Sequence, residues 1–154
     1  MTIQIKSTAF SEGEPIPVKN TCDGDDSSPP LTFGNIPQGA KSLVLICEDP
    51  DAPSGTFTHW VLYDLPATVT ELSEGVSTNE TLSSGARQGK NDFKRVGYGG
   101  PCPPPNGPHR YFFRLYALDA ALEVQPKATK DQITRAMEGH ILGEGYLMGT
   151  YKRK

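Results

Sequence analysis

The apolar residues of this chain fall into short runs with the period of a β-strand, and that narrows the folds open to it. Ile3 and Ile5 alternate in TIQIKS, as do Leu31 and Phe33 in PPLTFGNIP. THWVLYDL (Thr58 to Leu65) and HRYFFRLYAL (His109 to Leu118) are longer and rich in β-branched and aromatic residues. KSLVLICE (Lys41 to Glu48) is apolar on both faces, with Val44 and Ile46 opposing Leu43, Leu45 and Cys47. GYLMGTYK (Gly145 to Lys152) reads as a closing strand. The connections hold glycine, proline, serine and aspartate, the residues of turns. Glycine (16) and proline (14) together make up 30 of the 154 residues, which excludes a helical bundle or coiled coil. The length suits one domain spanning 1–154, and the fold class is mostly β.

One segment reads as a helix. Thr129 and Gln132 are spaced as a capping box, in which the threonine oxygen accepts from a first-turn amide and the glutamine reaches back. Ile133, Ala136 and Met137 follow as a core-facing stripe, and Gly139 suits a left-handed helix end. A shorter helical turn is expected around residues 68–74. Residues 83–108 have almost no periodicity and carry five glycines before Pro101. An aperiodic stretch of that length in a compact domain is usually functional. It is expected to form a contact surface for a protein partner, with a tip at 90–94 that is dispensable for folding.

The formal net charge of −3 gives no electrostatic basis for binding nucleic acid, whose affinity rests on neutralised phosphates. Lys152, Arg153 and Lys154 are the one basic run and read as a solvated tail. No apolar run approaches the roughly 20 residues that span a bilayer. The first residues also lack the basic start and apolar core of a secretion signal. A cytoplasmic location without integral membrane association is therefore expected. Cys22, Cys47 and Cys102 are odd in number and widely spaced, which suits unpaired thiols. Cys47 reads as a small core residue and Cys102 as a loop thiol open to reaction. With no Walker loop and no GxGxxG, no cofactor is expected.

Two clusters can carry chemistry. The first is Asp49-Pro50-Asp51-Ala52-Pro53, directly after the most apolar strand, with His59 opening the next. The second is the loop from Gly99 through Gly100 and Pro101 to Pro108, which ends in His109 at the start of another strand. Alternation puts His109, Tyr111 and Phe113 on one face, and His59, Val61 and Tyr63 together opposite Trp60 and Leu62. Imidazoles can donate to an anion, glycine lets backbone approach a ligand, and a carboxylate can fix a histidine's tautomer. This mixture suits a small anion or a zwitterion such as phosphorylethanolamine. The plain alternative is a set of hydrogen-bonded residues fastening loops to the sheet edge. Metal binding has weaker support, because no HxH or HxxxH pair occurs. A hydrolase would need Ser54, Thr56 or Thr58 as nucleophile beside an Asp–His pair, and no GxSxG elbow supports one.

At these residues the chain resembles a known family. DPDAP, His59-Trp60 and GGPCPPPNGPHRYFFRLYAL are similar to the signature of the phosphatidylethanolamine-binding proteins, also called Raf-kinase-inhibitor-like proteins, in their compact prokaryotic branch. The resemblance implies a large antiparallel central sheet packed on a smaller one, with one or two peripheral helices. It also implies a small-anion pocket lined by Asp49, Asp51, Pro53, His59, Gly100, Pro101, His109 and Tyr111, with Phe57 as an aromatic wall. A non-enzymatic regulatory protein follows, with a kinase or protease as its protein partner. A homodimer is also implied, for which the strand faces of Phe112 and Tyr116 are suited.

Overall fold

The computed structural model describes Thr2–Arg153, so Lys154 of the basic run lies outside the described residues. The periodic segments form eight strands: β1 (Gln4–Lys6), β2 (Leu31–Gly34), β3 (Ser42–Asp49), β4 (Phe57–Pro66), β5 (Glu71–Leu72), β6 (Arg87–Gln88), β7 (His109–Leu118) and β8 (Ile141–Tyr151). One helix, α1, spans Lys130–Met137. The large sheet has the order β6-β4-β3-β7-β8 and the small one β1-β2-β5, with antiparallel pairing throughout.

The two-faced strand β3 explains the layering. Leu43, Leu45 and Cys47 face the small sheet and pack with Ile3, Ile5, Leu31 and Phe33. Val44 and Ile46 face the other way and pack with Val61, Tyr63, Ile133 and Met137 beneath α1. A strand at the middle of a three-layer stack has no wet side, so its sequence cannot alternate. At its centre Cys47 is paired with Trp60 of β4 and Phe113 of β7, and all three are fully buried. Truncating an aromatic at such a position costs about 3–5 kcal/mol. The indole N–H of Trp60 donates to Gln88 Oε1 at 2.7 Å, which satisfies that buried polar atom.

Helix α1 starts as its capping box requires, with Thr129 Oγ1 accepting from the Gln132 amide and Gln132 Oε1 accepting from the Thr129 amide. Gly139 is left-handed (φ +80°). Two expectations fail. Residues 68–74 do not form a helical turn: after a tight turn in which Val69 N donates to Pro66 O, Glu71 and Leu72 pair with Thr32 and Leu31 as β5. The closing strand also begins four residues earlier than its apolar pattern suggested, because β7 offers pairing partners back to Ile141.

Residues 83–108 are not a free loop. Arg87 and Gln88 pair with β4, and Gly89 N and Lys90 N donate to Val61 O and Ala128 O. A Cβ on Gly89 would collide with that Ala128 carbonyl. The expected dispensable tip at 90–94 is built into the fold. Thr58 N donates to Asp92 Oδ2 and Asp92 N to Thr58 O, while the Asn91 side chain ties Phe93, Arg95 and Gly97 together.

Candidate functional site

A break in strand register builds the site. Along β3 and β4, Cys47 pairs with Trp60 but Glu48 pairs with Thr58, so His59 is an extra residue on β4. A bulge turns consecutive side chains to the same face. His59 thus leaves the side of Val61 and Tyr63, where strict alternation put it. It joins the face of Trp60 and packs its ring at 5.2 Å from Tyr111. Having no β3 partner, His59 pairs with Gly99: Gly99 N donates to His59 O at 2.9 Å, and the ring Nδ1 lies 2.7 Å from Gly99 O.

On β7, alternation holds. His109 and Tyr111 share the face of Phe113, and Arg110 points outward. Asp49 closes β3 at the same level, paired with Phe57. Its Oδ2 accepts from His109 Nδ1 at 2.7 Å, and its Oδ1 accepts from the Asp51 amide at 2.7 Å. Both partners of the Asp49–His109 pair are almost fully buried.

These residues surround a cavity of about 200 Å³ lined by Asp49, Ala52, Pro53, Phe57, His59, Phe93, Cys102, Pro103, Pro104, His109 and Tyr111. Phe57, Phe93 and His59 form an aromatic cluster with ring centroids 4.8–5.4 Å apart. Polar atoms without partners converge on this apolar shell. Among the described residues, the ring Nε2 atoms of His59 and His109 make no hydrogen bond, and the fully buried Tyr111 hydroxyl has none. Burial pushes the Tyr111 phenol far above its usual range, with the Asp49 charge adding to it. Burial lowers the His59 pKa, opposed in part by the Gly99 and Gly100 carbonyls and by the charges of Asp49 and Asp92.

Six of the nine residues expected at the site line the cavity: Asp49, Pro53, Phe57, His59, His109 and Tyr111. Asp51, Gly100 and Pro101 stand beside it. Asp51 is held outside by Arg110, whose Nε and Nη2 both donate to it at 2.9 Å, and this pairing lowers the Asp51 pKa. Gly100 allows a close backbone approach, but toward Asn20 and Asp26, where its N–H donates to Asp26 Oδ1 at 2.8 Å. Pro101 O accepts from Cys22 N at 3.1 Å. The candidate nucleophiles are not in the lining: Ser54 and Thr56 are exposed, and Thr58 is buried beside a separate cavity near Asp92 and Lys130. Among the described residues no group of three or more metal-ligating side chains occurs.

The expectation of unpaired thiols is overturned. Cys22 and Cys102 form a disulfide across 80 positions, and only Cys47 is free and buried. Wide spacing concealed the pair because the turn around residues 20–26 folds back over the proline loop. There Tyr98 Oη donates to Asn20 O at 2.6 Å, one strand of a seam continued by Gly100 and Pro101. Phe93 was also missed. It lies in the aperiodic stretch, where no strand pattern assigns a face, and only its being one of two aromatics there, with Tyr98, marks it.

Comparison with known proteins agrees with this geometry. The family model described as phosphatidylethanolamine-binding protein matches residues 6–152. The chain belongs to that family. A UPF0098 protein of Methanothermobacter thermautotrophicus is 51% identical over 151 residues, covering 98% of this chain and 99% of that protein. A crystal structure of a phosphatidylethanolamine-binding protein homolog from Chlamydia trachomatis is 45% identical with a TM-score of 0.91, covering 99% of each chain. The crystal structure of Escherichia coli YbcL, described as a new member of the mammalian family, is 30% identical with a TM-score of 0.92 over both full chains. The fold with two antiparallel sheets is therefore the family's fold, and α1 is the single α-helix among the described residues. No helix among them is long and apolar enough to cross a membrane.

Proposed function

We propose that this protein is a binder of small oxyanions or phosphorylated headgroups with a regulatory role, and not an enzyme. The observation that carries the reading is the convergence of three unpartnered polar atoms, His59 Nε2, His109 Nε2 and Tyr111 Oη, on one apolar cavity. Of the three, the Tyr111 hydroxyl is fully buried; such a group without a partner costs about 1–3 kcal/mol, and a ligand that supplies the partner recovers it. The volume of about 200 Å³ is below the usual drug-sized range and fits a phosphate-sized group with a short substituent. The choice of binder over catalyst draws support from the lining itself. Its one hydroxyl belongs to a phenol that burial keeps protonated, and its one sulfur on Cys102 is in the disulfide.

The test is an NMR titration of the three histidines with phosphate, acetate and phosphorylethanolamine added separately. His140, exposed at the end of α1 and paired with Asp119, serves as the internal control. The reading expects His59 and His109 to shift together and saturably while His140 stays still. Silence at both histidines with every ligand overturns it, and attention then moves to a protein partner such as a kinase or protease. A second reading, pairing of two copies, is favoured by exposed apolar side chains on β8, where Tyr146 is 52% exposed and its ring packs tilted against Phe112 at 5.3 Å. Sedimentation at micromolar concentration tests it, and a monomer removes it.

A further inference from the structure

The hydrogen bonds of the two histidines fix what each presents to the cavity. A carbonyl oxygen only accepts, so His59 Nδ1, 2.7 Å from Gly99 O, carries the proton. In the neutral ring Nε2 is then a bare lone pair, an acceptor and not a donor. His59 has no charged partner in hydrogen-bond contact, and burial favours its neutral form. His109 differs, because its Nδ1 bonds a carboxylate oxygen of Asp49.

The charges around the cavity give no surplus cation. From β3 comes Asp49, and a proton on His109 would only cancel it. From the loop after β3 comes Asp51, matched by Arg110 of β7. From residues 92–95 come Asp92, which accepts from Thr58 N, and Arg95, which is 60% exposed over the outer side of Phe93. From the 20–26 turn comes Asp26, which accepts from Gly100 N. No lysine or arginine lines the cavity. A dianion entering it would find no surplus cation in the lining and would face a lone pair at His59 Nε2. Taking such a charge out of water without a partner is strongly unfavourable.

We infer that the pocket takes its oxyanion singly protonated, so that the complex holds one proton more than the free protein plus the free dianion. This rests on the oxyanion-binding reading above and names the ligand state it requires. The extra proton is taken from the solvent buffer when the free ligand is a dianion, forms one O–H bond on the ligand, and lies in the hydrogen bond between that oxygen and His59 Nε2; no other bond is made or broken. Phosphate monoesters and phosphonates bring a proton of their own near neutral pH, since their second pKa is about 6. A sulfate monoester brings none, and the site selects against it.

Isothermal titration calorimetry of the full chain, disulfide intact, with phosphorylethanolamine decides the matter. At pH 8, in two buffers of different ionisation enthalpy, the observed heats should report uptake of about one proton. The Kd should weaken about tenfold per pH unit between 7 and 9. With ¹⁵N-histidine, His59 Nε2 should change from an unprotonated to a hydrogen-bonded or protonated signal on binding, and its Nδ1 should stay protonated. Binding with no proton uptake, or with the change confined to His109, overturns the inference and leaves the oxyanion reading intact. No binding at any pH removes both.

Discussion

Breaking the Cys22–Cys102 bridge should destabilise the protein and loosen the cavity wall, and the loop length sets the size of the first effect. The disulfide closes 80 positions of chain. Loop-closure entropy for that length is about −15 cal/mol/K, or about 4–5 kcal/mol at 25 °C. A domain of this size is stable by about 5–15 kcal/mol, so the bridge accounts for a large part of the margin. At about 2–4 °C per kcal/mol, the Cys22→Ser/Cys102→Ser variant should melt about 8–20 °C lower. The wall should respond as well. Cys102 is the exposed anchor of Pro103 and Pro104, and the only backbone bond within 103–108 is a local one from Asn106 N to Pro104 O. Phosphate affinity, measured well below the variant's melting range, should therefore fall by more than the global stability alone explains. Thermal unfolding by circular dichroism, oxidised against reduced and variant against wild type, provides the assay. A melting point within about 2 °C of the oxidised protein would refute the entropy argument. Unchanged phosphate affinity in the folded variant would refute the claim that the bridge holds the wall.

Tyr111→Phe removes a buried hydroxyl with no partner. It should raise the stability of the free protein by about 0.5–2 kcal/mol while weakening phosphate binding, and a lower melting point would contradict this. Asp51→Ala should leave the phosphate Kd unchanged within about twofold, because Arg110 holds that carboxylate outside the cavity; titration calorimetry reads the outcome. Since burial depresses the folded-state pKa of His59, protonation favours the unfolded chain. The His59 contribution is fully present above the unfolded value of about 6.5 and is lost as pH falls below it toward the folded pKa. Urea melts from pH 7.5 to 5 should show this loss, and saturating phosphate should reduce it. Trp60→Phe should cost about 1–3 kcal/mol, because Gln88 Oε1 loses its donor in a dry core.

Much of the fold was legible because strands announce themselves by period. β7 has the bounds its apolar pattern gives, and α1 begins at the threonine its capping box marks. The site was less legible wherever a side chain's direction depends on a partner strand. Period two placed His59 with Val61, and only the pairing of Glu48 with Thr58 reveals the bulge that turns it toward Tyr111. Asp51 belongs by sequence with Asp49, yet Arg110 on a strand nearly sixty residues later captures it. Gly100 was read as a place where backbone comes close, and the backbone that approaches it is that of the 20–26 turn. The disulfide shared that fate: its two halves meet through a seam that no local pattern encodes. The two-residue strand β5 is too short to carry a period at all.

The way the first segment docks has a consequence for how the protein is made. The chain before Pro17 touches the outer edge of β8 on either side of β1, with Ile3 N bonded to Glu144 O, Gly13 N to Met148 O and Ile16 N to Thr150 O. β8, a late strand in the chain order, is thus a berth for this early segment. At about 5–20 residues per second, the early segment waits about 7–30 s for it on the ribosome. During that wait Cys22 meets Cys47 before Cys102 exists. The β3–β4 hairpin, completed at Pro66, flanks Cys47 with Trp60 well before Cys102 emerges.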